Sequence, residues 1–200
     1  MRPENQSRRS FIKGIIASGA VASTGGLMFI SGCSDNSSVP ASGSVERLIS
    51  LNINGSVRRV DVLPNETLAM TLRNKLGLTG TKIACDRGEC GACCVLLDGV
   101  SFNSCSMLSH SLTGKNITTI EGIASPAGEL HPVQTAMIEE LAPQCGFCTS
   151  GQVVSAVALL DQNPNPTRDE AREAMAGNLC RCGAYDHYLN AILRAAGEIA

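Results

Sequence analysis

From Arg47 onward the apolar positions first alternate and then wind. Ile49, Leu51 and Ile53 alternate with polar residues, Asn54-Gly55 supplies a two-residue turn, and Val57, Val60 and Val62 run back. That spacing predicts a β-hairpin. Leu68, Leu72 and Leu76 recur at four-residue steps, predicting a helix from Thr67 to Lys75 that Gly77 is placed to end. Cys94-Val-Leu-Leu returns to strand, Asp98-Gly99 turns it, and Val100 to Cys105 forms its partner. A last strand, Asn116 to Ile120, completes a small β-grasp sheet folded over one helix.

After Gly122 the pattern becomes helical. Pro132 suits a first helical position, with Val133, Met137 and Leu141 following at four-residue steps. A second helix over Ser150 to Leu160 turns Val153, Val157 and Leu160 inward, and Asn163-Pro-Asn-Pro breaks it. Thr167 and Glu170 form a capping box for a third helix reaching Ala176. Asp186 is placed to cap a fourth, whose Leu189, Ile192 and Ala196 share a face. The predicted class is α+β, with a β-grasp domain over residues 47–122 and a four-helix domain over 123–200.

Residues 1–46 follow neither pattern. SRRSFIKGIIASGAVASTGGLMFISGC pairs a basic start with an apolar run interrupted by glycines. Arg8-Arg9 followed by Ser-Phe-Ile-Lys resembles a twin-arginine export signal. A membrane span wants about 18 strongly apolar residues, and Ser18, Gly19, Ser23, Thr24, Gly25 and Gly26 dilute this run. Ile30-Ser31-Gly32-Cys33 resembles a bacterial lipobox, in which Cys33 is acylated. Residues 1–33 then form the leader, and 34–46 a Ser/Asn/Pro/Gly linker. Cleavage after Val39-Pro40-Ala41 is the competing route, and lipidation is the preferred one. The expected location is the periplasm or the outer face of the cytoplasmic membrane.

The net charge of −2 creates no field suited to nucleic acid, and 3% aromatic residues with no Trp provide no base-stacking platform. Nucleic acid is therefore not an expected partner. Ten cysteines exceed what a core of this size needs as small hydrophobes. Exported chains usually hold cysteines as disulfides, yet ACDRGECGACC crowds four into one loop. Twin-arginine cargo travels folded, often with cofactors inserted, which removes the conflict.

Within that loop Cys85-x4-Cys90-x2-Cys93, with Cys105 twelve residues further on, has the plant-type spacing for a [2Fe–2S] cluster. Gly88 and Gly91 let the loop bend so that amide N–H groups approach the sulfurs. Zinc is the alternative, although structural zinc sites usually come as two short pairs. Cys94 should face away from Cys93 and fill space as a small apolar residue. A second set, Gln144-Cys145-Gly-Phe-Cys148 and Asn178-Leu-Cys180-Arg-Cys182, falls between the predicted helices. A thioredoxin-like pair would need a βαβ setting, so a second [2Fe–2S] site is expected. His110, His131 and His187 sit in no catalytic constellation, and surface or capping roles are expected for them.

The segments CDRGECGACC, QCGFCTSGQ and GNLCRCGAY, in this order, resemble the small iron–sulfur subunit of the xanthine dehydrogenase and aldehyde oxidoreductase family of molybdenum hydroxylases. The resemblance covers residues 47–200. It implies a solvent-nearer cluster on Cys85, Cys90, Cys93 and Cys105, and an inner one on Cys145, Cys148, Cys180 and Cys182. It also implies a large partner subunit carrying molybdenum and a molybdopterin dinucleotide, with Gln144 and Cys182 beside the pterin. Electrons would then pass to a cytochrome c, an FAD subunit or another acceptor, with no catalytic residue on this chain. Cys94 stands where the family usually has Thr, Ser150 where it has Pro, and Gly183-Ala184 where it has Thr-Gly. A stand-alone exported ferredoxin-like carrier or a redox-sensing lipoprotein is the alternative function.

Overall fold

The computed structural model describes residues 47–199, so Arg8, Arg9 and Cys33 lie outside the described residues. β1 (Arg47–Ile53) and β2 (Ser56–Val62) pair antiparallel, with Ile53 opposite Ser56. Between them Asn54 and Gly55 take φ of 52° and 73°, as a tight hairpin turn demands. β3 (Cys94–Leu97) and β4 (Val100–Asn103) form the second hairpin. β5 (Asn116–Thr118) inserts parallel to β1 and antiparallel to β3, giving the order β2-β1-β5-β3-β4. Leu51, Ile53, Val60, Val62, Val95, Leu97 and Ile117 close this β-grasp core over Leu68 and Leu72.

The crossing helix departs from expectation in its winding. α1 runs Leu68–Met70, with Thr67 Oγ1 accepting the Met70 N–H at 3.4 Å, and continues as a π-helix over Thr71–Lys75. The Leu76 N–H reaches back to the Thr71 carbonyl at 3.1 Å. The wider turn leaves Leu76 only partly buried and buries Thr71, whose hydroxyl donates to Glu66 Oε1 at 2.6 Å.

Glu66 is 7% exposed and paired with Lys75 at 2.9 Å. Burial pushes its pKa up, but hydrogen bonds from Thr71, Lys75 and the Leu63 N–H outweigh it and hold the carboxyl below its ordinary value. The stability it contributes is therefore present above the unfolded pKa and lost as pH falls through the lower folded pKa. Glu66→Gln is expected to cost about 1–3 kcal/mol near neutral pH. Thermal melts of variant and parent should converge in acid; a gap that persists there would contradict the assignment.

β3 is the wall shared by the two halves. Val95 and Leu97 face the β-grasp core, while Cys94 and Leu96 join the core of the helices. The helices are α2 (Pro132–Glu139), α3 (Thr149–Gln162), α4 (Arg168–Ala174) and α5 (Tyr185–Ile199). α3 is buried almost throughout, from Gly151 to Ala158. It packs so close to the cysteine loop that a Cβ on Gly151 would lie 2.0 Å from the Gly91 carbonyl oxygen. No helix among the described residues is long and apolar enough to cross a membrane.

Several details differ from the expected elements, including a second strand of the later hairpin that ends at Asn103 rather than Cys105 and an α3 that runs one residue earlier and two later than Ser150 to Leu160. α2 stops at Glu139, and Leu141, expected on its inward face, takes φ 53° and stands 73% exposed. The last strand ends at Thr118, because Ile120 already belongs to a 3₁₀ turn. α4 ends at Ala174, two residues short of Ala176. Asp186 lies inside the first turn of α5 rather than capping it, where it pairs with Arg168 at 2.7 Å. His131 does cap a helix, its Nδ1 accepting the Val133 N–H at 3.2 Å.

Candidate metal centres

The loop between α1 and β3 turns its sulfurs toward its own amides. Gly88 and Gly91 adopt φ of 81° and 69°, which a side chain would strain. The Gly88 N–H reaches Cys105 Sγ at 3.3 Å, and the Glu89 N–H reaches Cys85 Sγ at 3.4 Å. β4 then hands Cys105 to the loop through the 3₁₀ turn Ser104–Ser106, not from the strand itself. Asn103 clamps this join, its Nδ2 donating to the Gly88 carbonyl at 2.7 Å, and Ser104 Oγ donates to the Cys93 carbonyl at 2.7 Å. The Arg87 N–H holds the Cys85 thiol down to about 7, against an ordinary 9.0. Burial pushes Cys93 up to about 12.

The second set sits where α3 and α5 begin. Cys145 and Cys148 occupy the turn before α3, and Cys180 and Cys182 the turn before α5. Cys148 and Cys180 are buried, whereas Cys145 and Cys182 are exposed. The Phe147 N–H lowers the Cys145 pKa, and burial raises Cys148 to about 11. A cavity of about 470 Å³ separates the two sets, lined by Cys85 and Cys90 on one side and Cys145, Cys148 and Cys180 on the other. The Leu179 N–H donates to the Cys90 carbonyl at 3.0 Å, so the loops of the two sets are hydrogen-bonded to each other.

The thiols meet in pairs. Cys85 contacts Cys90, Cys93 contacts Cys105, Cys145 contacts Cys182, and Cys148 contacts Cys180. Among the described residues no three His, Cys, Asp or Glu side chains converge as ligands of one ion. A structural zinc gathers four ligands on one point, whereas four thiolates shared by two irons leave two on each. Paired thiols with amide donors on their sulfurs thus fit [2Fe–2S] clusters, whose sulfurs such hydrogen bonds stabilise.

Cys94 opens β3 and packs with the helices, away from Cys93 just before the strand, as alternation requires, but it has polar partners. Its Sγ sits 3.4 Å from Asn103 Oδ1 and 3.8 Å from Asn178 Nδ2, at the seam between the halves. The residues that sequence reasoning passed over are Asn103, Asn178, Thr149 and Tyr188. Asn178 donates to the Gly91 carbonyl at 3.3 Å, and its own carbonyl accepts from Gln152 at 3.0 Å. Its place two residues before Cys180 was the only signal available, since the partners lie far away in the chain.

Residues 51–117 match the family model described as "2Fe-2S iron-sulfur cluster binding domain", and residues 119–193 match the one described as "[2Fe-2S] binding domain". A β-grasp half with five thiols and a helical half with four, each matching a [2Fe–2S] family model, make this a two-cluster iron–sulfur protein. It is 45% identical over 152 residues to a nicotinate dehydrogenase subunit of Pseudomonas putida, covering 76% of this chain and 96% of that protein. It is also 45% identical over 179 residues to the aldehyde oxidoreductase iron-sulfur-binding subunit PaoA of Escherichia coli, covering 81% and 78%. The quinoline 2-oxidoreductase structure from Pseudomonas putida superposes with a TM-score of 0.74 at 42% identity, over 77% of this chain and 96% of that one. The aldehyde oxidoreductase from Desulfovibrio desulfuricans gives 0.72 at 42% identity, over 76% of this chain and 17% of that longer one. The chain belongs to the small iron–sulfur subunits of the aldehyde oxidoreductase, nicotinate dehydrogenase and xanthine dehydrogenase family. It is an oxidoreductase subunit for two [2Fe–2S] clusters, working in electron transfer.

Proposed function

We propose that the chain takes electrons from a molybdopterin dinucleotide on a large partner subunit, then passes them singly through both clusters to an acceptor. Cys145, Cys148, Cys180 and Cys182 hold the inner cluster, and Cys85, Cys90, Cys93 and Cys105 the outer one. Gln144 and Cys182 face the pterin. When bound, each cluster supplies a one-electron redox site. This chain's residues place it, keep water from its buried sulfurs and bias its potential. Substrate oxidation belongs to the partner.

The carrying observation is the contrast inside the second set. Cys148 and Cys180 are buried, while Cys145 and Cys182 are exposed, with the half-exposed Phe147 and Leu179 lining the same cavity. Exposed sulfurs flanked by large apolar side chains suit a surface that a second chain covers. Purification of the native assembly tests this reading. A large molybdenum-containing chain is expected to accompany this one, and a monomer with no molybdenum in any associated chain would contradict it.

Export through the twin-arginine route, lipid attachment at Cys33, and an FAD subunit or cytochrome c as acceptor complete the proposal. The Arg8-Arg9-Ser-Phe-Ile-Lys and Ile-Ser-Gly-Cys segments support its first two parts. Lysine at both Arg8 and Arg9 should leave the precursor in the cytoplasm. Cys33→Ala should move the exported protein from the membrane to the soluble fraction. Normal export of the first variant, or unchanged membrane attachment of the second, would contradict the corresponding part.

A further inference from the structure

The chain has two tyrosines, and both bring hydroxyls to the second thiol set. They lie three residues apart in α5, on neighbouring turns of one face. Tyr185 Oη accepts the backbone N–H of Cys180 at 3.0 Å. Tyr188 Oη lies 3.6 Å from Cys148 Sγ and 3.0 Å from Thr149 Oγ1. Tyr188 is 2% exposed, so solvent offers its hydroxyl no rival partner.

Each hydroxyl carries one proton, and the state of the sulfur decides how the three groups are wired. A free Cys148 thiol can donate or accept. A sulfur bonded to iron has lost its proton and only accepts. Tyr188 must then donate to Cys148 Sγ, and Thr149 must donate to Tyr188 Oη, because a hydrogen bond to an anionic sulfur is the stronger use of the phenol proton. We propose that Tyr188, backed by Thr149, is a positioning residue of the inner centre, donating to Cys148 Sγ and holding that centre's reduction potential up.

Reduction places one electron on the iron–thiolate unit, so negative charge on its sulfurs rises. The electron comes from substrate oxidised on the partner and leaves to the acceptor; the Tyr188 proton stays on its oxygen throughout. A donor already aimed at the sulfur stabilises the reduced form more than the oxidised one. Tyr188 touches no sulfur of the first set, whose sulfurs are met by the Gly88 and Glu89 N–H groups and, at 3.7 Å, by the Ser106 hydroxyl. The effect is thus confined to one centre. The inference rests on Cys148 being an iron ligand, as proposed above.

The test is a redox titration of the native complex followed by EPR. With Tyr188→Phe both cluster signals should keep their intensity. One of them should show a reduced-to-oxidised ratio about tenfold lower at fixed potential, equivalent to about 59 mV for one electron. Placing 3-fluorotyrosine at position 188 alone keeps the ring and strengthens the donor, and should move the same signal the opposite way. Unchanged potentials in both variants, or equal shifts of both signals, would overturn the proposal. If Tyr188→Phe fails to hold its cluster, the fluorinated variant decides: a rise supports the proposal and no change overturns it. A parent complex without two cluster signals would instead overturn the ligand assignment on which the inference rests.

Discussion

Gly151→Ala is expected to loosen the joint between the β-grasp and helical halves and to disturb the first thiol set, although it adds one methyl group to a helix. The added Cβ would lie 2.0 Å from the Gly91 carbonyl oxygen and 3.0 Å from its carbon. Backbone cannot swing aside as a flexible side chain does, so either α3 or the loop must move. Gly91 sits between Cys90 and Cys93 and is itself pinned, since a Cβ there would lie 2.5 Å from Asn178 Nδ2 and 2.7 Å from the Gly177 carbonyl. Overpacking usually costs about 1–3 kcal/mol, and a backbone-to-backbone clash belongs at the upper end. For a domain of this size about 3 kcal/mol corresponds to a drop of about 6–12 °C in Tm. Gly197→Ala in α5 is the control, because nothing lies within 4 Å of its added Cβ. There the substitution should be neutral or mildly stabilising through helix propensity. Equal melting temperatures for the two variants would show that the close approach of α3 to the loop is wrong.

The second large effect separates two adjacent residues. Cys93→Ser is expected to abolish one of the two cluster EPR signals, whereas Cys94→Ser should leave both. Both thiols are buried, at 2% and 8% exposure, so accessibility does not distinguish them. Direction does. Both reach Asn103 Oδ1, but Cys93 packs with Cys105 and Ala69 on the loop side, while Cys94 packs with the helices and contacts Asn178. Serine at 94 can still donate to Asn103 Oδ1, which keeps the clamp on the Gly88 carbonyl intact. Loss of a signal from Cys94→Ser with both signals kept in Cys93→Ser would reverse the assignment.

The contrast between those neighbours also marks what the linear pattern reveals. Alternation alone sent Cys93 and Cys94 to opposite sides where the chain enters β3, and short-range turn chemistry placed both hairpins, at Asn54-Gly55 and Asp98-Gly99. The spacing of the cysteines picked out the members of both thiol sets, because Cys85, Cys90 and Cys93, Cys145 and Cys148, and Cys180 and Cys182 are each close in the chain. Leu141 shows where periodicity fails: three apolar residues at helical spacing continued past the point where the chain turned away, and the last became surface. The π-winding of α1 escaped for a related reason. Burying Thr71 against Glu66 and Ser109 depends on a segment distant in the chain. Asn178 and Tyr188 act across 26 to 87 residues, and no local pattern carries such partnerships. The approach of Gly151 to Gly91 is equally non-local, and an isolated glycine in a helical stretch reads only as a small propensity cost.

Metal analysis of the purified native complex, combined with EPR after reduction, bears most directly on the central claim that the two thiol sets hold two [2Fe–2S] clusters. About four irons per chain and two distinct [2Fe–2S] signals are expected. One zinc at each set, with no EPR signal on reduction, would contradict it.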